Sequence, residues 1–336
     1  MDTVTLRRIR IGAVVAALAI IAWTVAGFVD RRDAGFAGPL FEPDYSIVHV
    51  PAGSPLEEAG FQPGDRVVSV EGTPIEDLGM YSRWPRSLSR GPGESLTIVV
   101  ERDGELVSGR IVYDEPSESA ASLRLGGLLI LLSFLVCGLW ALFTVPTDHA
   151  ARLALIGLAL GAAAPGPYLG RWDGVAAHMQ VAAVVLWTLL LLRFFLLFPK
   201  PKRVGENRLA TIVIWAAWGV LIISLLVELI FHPRFYNTFG PLYGLLMTAY
   251  SVLAVVAVTH TVVTTSRKEL RVSGMSIIVV GVTIAVVFST VAFIDAAFLW
   301  EFSIPGSSYF PLLIAVVPFT MALGVRQGAQ PAVQQA

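Results

Sequence analysis

The feature that most limits this chain is an apolar run of about 20 residues that recurs along it. Such a run, wound as a helix, matches the roughly 30 Å hydrocarbon core of a bilayer. The first is Ile11–Val29, preceded by Arg7, Arg8 and Arg10 and followed by Asp30-Arg31-Arg32-Asp33. The others are Leu123–Val145, Leu153–Tyr168, Met179–Phe198, Leu209–Phe231, Leu242–Val263, Met275–Phe298 and Tyr309–Val325. Helix is the expected state of each, because lipid offers the backbone no hydrogen-bond partners. Charged residues make up 15% of the chain and hydrophobic ones 55%, against about 25% charged in soluble domains. The expectation is a polytopic α-helical membrane protein with about eight transmembrane helices. A cleaved signal peptide is the rival reading of the first run. Its length and the charged flank after it favour an uncleaved anchor. Pro165 and Pro167 shorten the run from Leu153. Cys137, the single cysteine, lies in an apolar run; it excludes an internal disulfide or a thiolate metal cluster and reads as packing.

Lysine and arginine placement sets the expected orientation. One set of connections holds Arg7, Arg8, Arg10, Arg152, Lys200, Lys202, Arg203, Arg208, Arg267, Lys268, Arg271 and Arg326. The opposite set, outside the folded domain, holds only Arg31, Arg32, Arg124, Arg171 and Arg234. Both termini are therefore expected in the cytoplasm of a bacterial cell, with the chain in the cytoplasmic membrane. Trp172, Tyr236, Tyr243, Trp300 and Tyr309 fall near the proposed outer ends, where aromatic side chains anchor.

One long run can fold in water, residues 41–114. Ser54 suits a helix N-cap and Pro55 the first helical position, with Glu57 and Glu58 in the first turn. Gly60 can take the left-handed stop. Pro63-Gly64 turns the chain, and Val67, Val68 and Val70 form a short strand closed by Gly72. Residues 77–89 can supply a helix interrupted by Pro85. Ser95–Glu101 alternates, Asp103-Gly104 makes a hairpin turn and Glu105–Tyr113 returns.

Ala52-Gly53-Ser54-Pro55, Ala59-Gly60, Pro63-Gly64-Asp65 and Val70-Glu71-Gly72-Thr73-Pro74-Ile75 together resemble the PDZ domain of bacterial envelope proteases. The resemblance implies an α+β domain, and the lysine and arginine placement puts it outside the cytoplasm, between the first and second membrane helices. The resemblance also implies a groove in which an extended peptide pairs with an edge strand beside a helix. The implied strand holds Tyr45, Ile47 and Val48, and the helix holds Leu78, Tyr81, Ser82 and Trp84. Tyr81 and Trp84 suit an apolar or aromatic ligand residue, or else fill the domain's core. The carboxylate-binding loop of the family is Gly-rich. Its nearest counterpart, Gly35-Phe-Ala-Gly-Pro39, ends in a residue without an N–H, which favours an internal segment or loop of an envelope protein over a free C-terminus.

The domain plan is an anchor at 1–33, linkers at 34–40 and 115–122, the folded domain at 41–114, a seven-helix bundle at 123–326 and a cytoplasmic tail at 327–336. The five histidines, His49, His149, His178, His232 and His260, form no H-E-x-x-H, and no G-x-S-x-G or G-x-S-G occurs. Asp295 has no second aspartate within a span with which to share a proton. No Gly-rich phosphate loop is present. The reading is of a non-enzyme without metal, cofactor or nucleic acid. Glu228, His232, Asp295 and Glu301 lie near outer helix ends and define a possible outer polar site; the plainer reading is that each reaches an interface. Arg193 and His260 lie toward inner ends, where Arg193 can snorkel.

Phe194-x-x-x-Phe198-Pro199-Lys200-Pro201 and the last apolar run resemble the multi-helix input modules of bacterial sensor histidine kinases of the quorum-sensing type. That resemblance implies a sensor that binds a peptide or small ligand outside and signals to a cytoplasmic partner such as a kinase. Ten residues follow Arg326, so output is assigned to another chain or a separated half. The alternative is a PDZ scaffold for envelope proteins without signalling, and a third is a transporter or intramembrane protease component.

Overall fold

A computed structural model describes residues 3–31, 46–47, 50, 52–75, 91–114, 118–164, 166, 173–231, 236–299 and 312–334. The chain opens with α1, Thr3–Arg31. The folded domain follows as α2 (Pro55–Glu58), β1 (Arg66–Val70), β2 (Thr73–Pro74), β3 (Ser95–Arg102) and β4 (Glu105–Val112). The four strands form one antiparallel sheet in the order β2-β1-β3-β4.

Local chemistry explains these elements. The Ser54 hydroxyl accepts from the Glu57 N–H at 3.3 Å, while the Glu57 carboxylate accepts from the Gly53 N–H at 2.6 Å. This is a capping box reaching one residue further back than usual. Arg102 faces Glu105 across the hairpin, with Asp103 at φ 52° and Gly104 at φ 85°. Two successive left-handed residues give the turn whose twist matches the flanking strands. Leu96, Ile98 and Val100 alternate inward along β3. With Ile47, Leu56, Phe61, Val67, Val70, Ile111 and Tyr113 they build the domain's own apolar core.

Helices make up the rest: α3 (Glu118–Thr144), α4 (Asp148–Ala162), α5 (Asp173–Leu197), α6 (Arg203–Glu206), α7 (Arg208–Phe231), α8 (Tyr236–Thr264), α9 (Arg267–Val272), α10 (Met275–Leu299) and α11 (Val316–Gln334), of which α6 and α9 are short and charged. Among the described residues six helices are long and apolar enough to cross a membrane: Val4–Val29, Leu125–Thr144, His178–Leu197, Arg208–Val227, Leu242–Thr264 and Leu312–Ala329. The apolar stretch Met275–Val287 of α10 is shorter. The run expected from Leu153 to Tyr168 is a 15-residue helix ending at Ala162, about 22 Å long at 1.5 Å per residue. The expected tail at 327–336 is helical as far as Gln334, because α11 continues past Arg326.

Small residues bring the helices together. A Cβ on Gly157 of α4 would lie 2.4 Å from the Phe134 carbonyl oxygen of α3, and one on Gly138 of α3 would lie 2.8 Å from that of Leu153. Gly274, in the turn before α10, and Gly324 of α11 make the same kind of approach. Arg10 of α1 donates to the carbonyls of Leu142 and Phe143 at 3.1–3.2 Å, at the last turn of α3. Further along α1, Trp23 Nε1 donates to the Ala164 carbonyl at 3.1 Å. Helix α1 therefore runs alongside α4 and antiparallel to α3.

Candidate functional site

The best-defined polar assembly in the domain closes the turn before β1. Asp65 is 2% exposed and accepts from Arg102 Nε at 2.7 Å, Arg102 Nη2 at 2.6 Å and the Gln62 N–H at 2.8 Å. Arg102 Nη2 also donates to the Gly60 carbonyl at 2.8 Å. Burial opposes ionisation of Asp65, but the Arg102 and Gln62 hydrogen bonds outweigh it and hold the carboxyl below its ordinary range. The pair fixes residues 60–65 against the end of β3. It spans 37 positions, so no local sequence signal announced it.

The clamped turn positions the expected peptide edge. Ser46 bridges Arg66 on the side of β1 away from β3. The Ile47 N–H donates to the Asp65 carbonyl at 2.8 Å, and its carbonyl accepts from the Gly64 N–H at 2.7 Å. Ile47 is 1% exposed and belongs to the core. Its side chain and both peptide groups are consumed within the domain, which corrects the expectation that it lines the groove. The alternation runs the other way, with Ile47 facing inward. The remaining groove residues, Tyr45, Val48, Leu78, Tyr81, Ser82 and Trp84, lie outside the described residues, as does the expected helix at 77–89.

Of the outer polar set, His232 and Glu301 also lie outside the described residues. Positions 228 and 295 fall within α7 and α10. Helix α7 packs on α5 and α8, whereas α10 packs on α9 and α11. Arg193 is held within the protein, donating to the Gly205 carbonyl at 3.3 Å and to Thr211 Oγ1 at 2.8 Å. His149 packs edge-on against Phe198, with ring centres 5.1 Å apart, and Phe198 stacks on Phe194 at 5.1 Å. The Phe-x-x-x-Phe-Pro motif thus has a packing role at the end of α5.

These features define a class, an integral membrane protein carrying a PDZ domain. The PDZ domain family matches residues 47–102. A zinc metalloprotease, so named, of Brucella suis is 47% identical over 64 residues, 19% of this chain and 16% of that protein. A protein of Mesorhizobium japonicum likewise named as a zinc metalloprotease is 42% identical over 62 residues, 18% of this chain and 16% of its own length. The regulator of sigma-E protease RseP of Salmonella typhimurium is 32% identical over 92 residues, 27% of this chain and 19% of its own. The chain thus matches under a fifth of the length of each of these relatives. No solved structure matches the chain.

These relatives correct three expectations. The likeness to sensor-kinase input modules finds no support. The reading of a peptide-binding sensor in signal transduction, with its kinase partner, gives way to relatives named as proteases. The reading of a non-enzyme gives way on the same ground. The zinc in the relatives' names can be tested against the residues here. Among the described residues no three His, Cys, Asp or Glu side chains lie close enough to hold a metal ion. His149 points a ring nitrogen at Arg152, 3.3 Å away, which is no setting for a cation ligand. The described donor set does not fit zinc.

Proposed function

We propose that this protein serves proteolysis at the membrane, as a component that holds an extended segment of an envelope protein through its PDZ domain. The observation that carries this is the 47% identity to a named zinc metalloprotease, which covers 64 residues. In the proposed arrangement the peptide pairs along the strand that contains Ile47, through the neighbouring positions Tyr45 and Val48 rather than Ile47 itself. Leu78, Tyr81, Ser82 and Trp84, in the segment expected to be the neighbouring helix, set side-chain preference in this proposal. The clamp of Asp65 by Arg102 keeps this edge in register with β1.

The proposed topology has both termini in the cytoplasm and the domain, residues 41–114, outside, with residues 123–326 as the bundle. Its support is that basic residues gather at one end of the helices. Arg10 lies over Phe143 at 5.3 Å, Arg326 over Trp140 at 5.6 Å, Lys200 pairs with Glu269, and Gln327 donates to the Arg271 carbonyl at 2.8 Å.

The test compares cells carrying the full chain, no chain, and the chain lacking residues 46–114, with membrane-protein fragments quantified by mass spectrometry. Several-fold accumulation of uncleaved forms of the same envelope proteins in both deletions is expected. An unchanged fragment profile in both overturns the reading.

A further inference from the structure

A cleft of about 680 Å³ opens at the end of the bundle where α5 meets α7 and α8, within the 300–1,000 Å³ typical of small-molecule sites. Its walls are apolar: Leu192 and Leu196 from α5, Ile214 from α7, and Leu253, Val256 and Ala257 from α8. One end is polar. Lys200, Lys202 and Arg203 line it, with the hydroxyls of Thr264 and Thr265 and the ring of His260 beside them. Glu269 is the carboxylate among the lining residues, and Lys200 pairs with it. Lys202 is half-buried and donates to the Phe195 carbonyl, without a carboxylate partner among the described residues. Burial lowers its pKa, the mark of a cation short of an anion.

We propose that this cleft binds an anionic phospholipid, with an acyl chain along the apolar walls and the headgroup phosphate between Lys200, Lys202 and Arg203. Three observations converge on that occupant. Cations exceed carboxylates three to one among the lining residues. The polar end lies where the spans His178–Leu197 and Leu242–Thr264 stop, the depth at which headgroups sit. Basic pockets between membrane helices recognise anionic headgroups in this way. A soluble phosphate would leave the apolar walls unused. A peptide would set unpaired backbone groups against them, at a desolvation cost.

The experiment uses the full chain, purified and delipidated in detergent. Phosphatidylglycerol and phosphatidylcholine with identical acyl chains are added, and bound lipid is counted by native mass spectrometry. Phosphatidylglycerol should be retained roughly tenfold better, and excess glycerol phosphate should leave it bound. The K200Q/R203Q double variant should erase the preference. Val256→Trp, which fills the wall from a half-exposed position, should reduce retention of both lipids. Equal retention of the two lipids, displacement by glycerol phosphate, or binding unmoved by Val256→Trp each overturns the proposal. If the double variant fails to melt cooperatively, Val256→Trp decides by itself.

Discussion

Gly60 of the PDZ domain and Gly157 of the helix bundle are glycine for opposite reasons. At Gly60 in the domain an added Cβ would meet nothing within 4 Å, yet φ is +81°. At Gly157 in the bundle an added Cβ would lie 2.4 Å from the Phe134 carbonyl oxygen. The first residue is glycine for its dihedral, the second for the space it leaves. The domain must turn sharply several times within a small core, and its backbone is shaped residue by residue. The bundle has no hydrophobic effect driving helix onto helix within lipid, so close backbone approach supplies the contact.

The largest effect should break the bundle side of this comparison. Gly157→Ala should destabilise the detergent-solubilised chain by about 3 kcal/mol, since α3 and α4 must part to admit the methyl group. Gly127→Ala, whose Cβ meets nothing within 4 Å, should instead stabilise by up to about 1 kcal/mol through helix propensity. Thermal unfolding of both variants checks the sign. Equal effects would mean that close packing does not hold these helices.

In the domain the strongest expected effect is electrostatic. Asp65→Asn should cost about 2–3 kcal/mol at neutral pH, because it leaves Arg102 without its charged partner. The folded pKa of Asp65 is lowered from an ordinary value near 3.8. Its contribution is therefore complete above that value and lost as pH falls through the lower folded pKa. Melting residues 41–114, wild type against variant, should show a gap that closes under acid. A gap constant down to pH 2 would mean that charge plays no part.

Gly60→Val should cost about 1–2 kcal/mol through backbone strain alone, and Gly60→Asn less, since asparagine tolerates the left-handed region. Arg10→Met should have the smallest effect. It removes hydrogen bonds to the Leu142 and Phe143 carbonyls, worth about 1 kcal/mol at a half-exposed helix end. Cysteine cross-linking of α1 to α3 would report any loosening.

Much of this architecture was legible from local chemistry. Ser54-Pro55, Gly60 and Asp103-Gly104 mark their own turns, and the apolar runs mark the helices. What escaped depends on partners distant in sequence. Gly138 and Gly157 become legible only when α3 meets α4, and Asp65 only when β3 brings Arg102 to it. The inward face of Ile47 is ambiguous in a segment with apolar residues at adjacent positions, Ile47 and Val48. The Phe194–Phe198 spacing suggested signalling because its packing against His149 was not visible in one dimension. The lipid-sized cleft draws its lining from five helices and the connections between them, and no single stretch encodes it.

The anchoring of α1 against α3 has a mechanical consequence. The domain is a loop inserted between two helices that pack on each other, so it is held at both ends. On the exit side, Asp114 and Glu118 are four residue steps apart, at most ~14 Å of chain. The domain therefore cannot roam as it would on a single flexible leash. A segment held in the proposed groove would stay within a short radius of the bilayer surface, at an effective concentration set by geometry rather than by abundance.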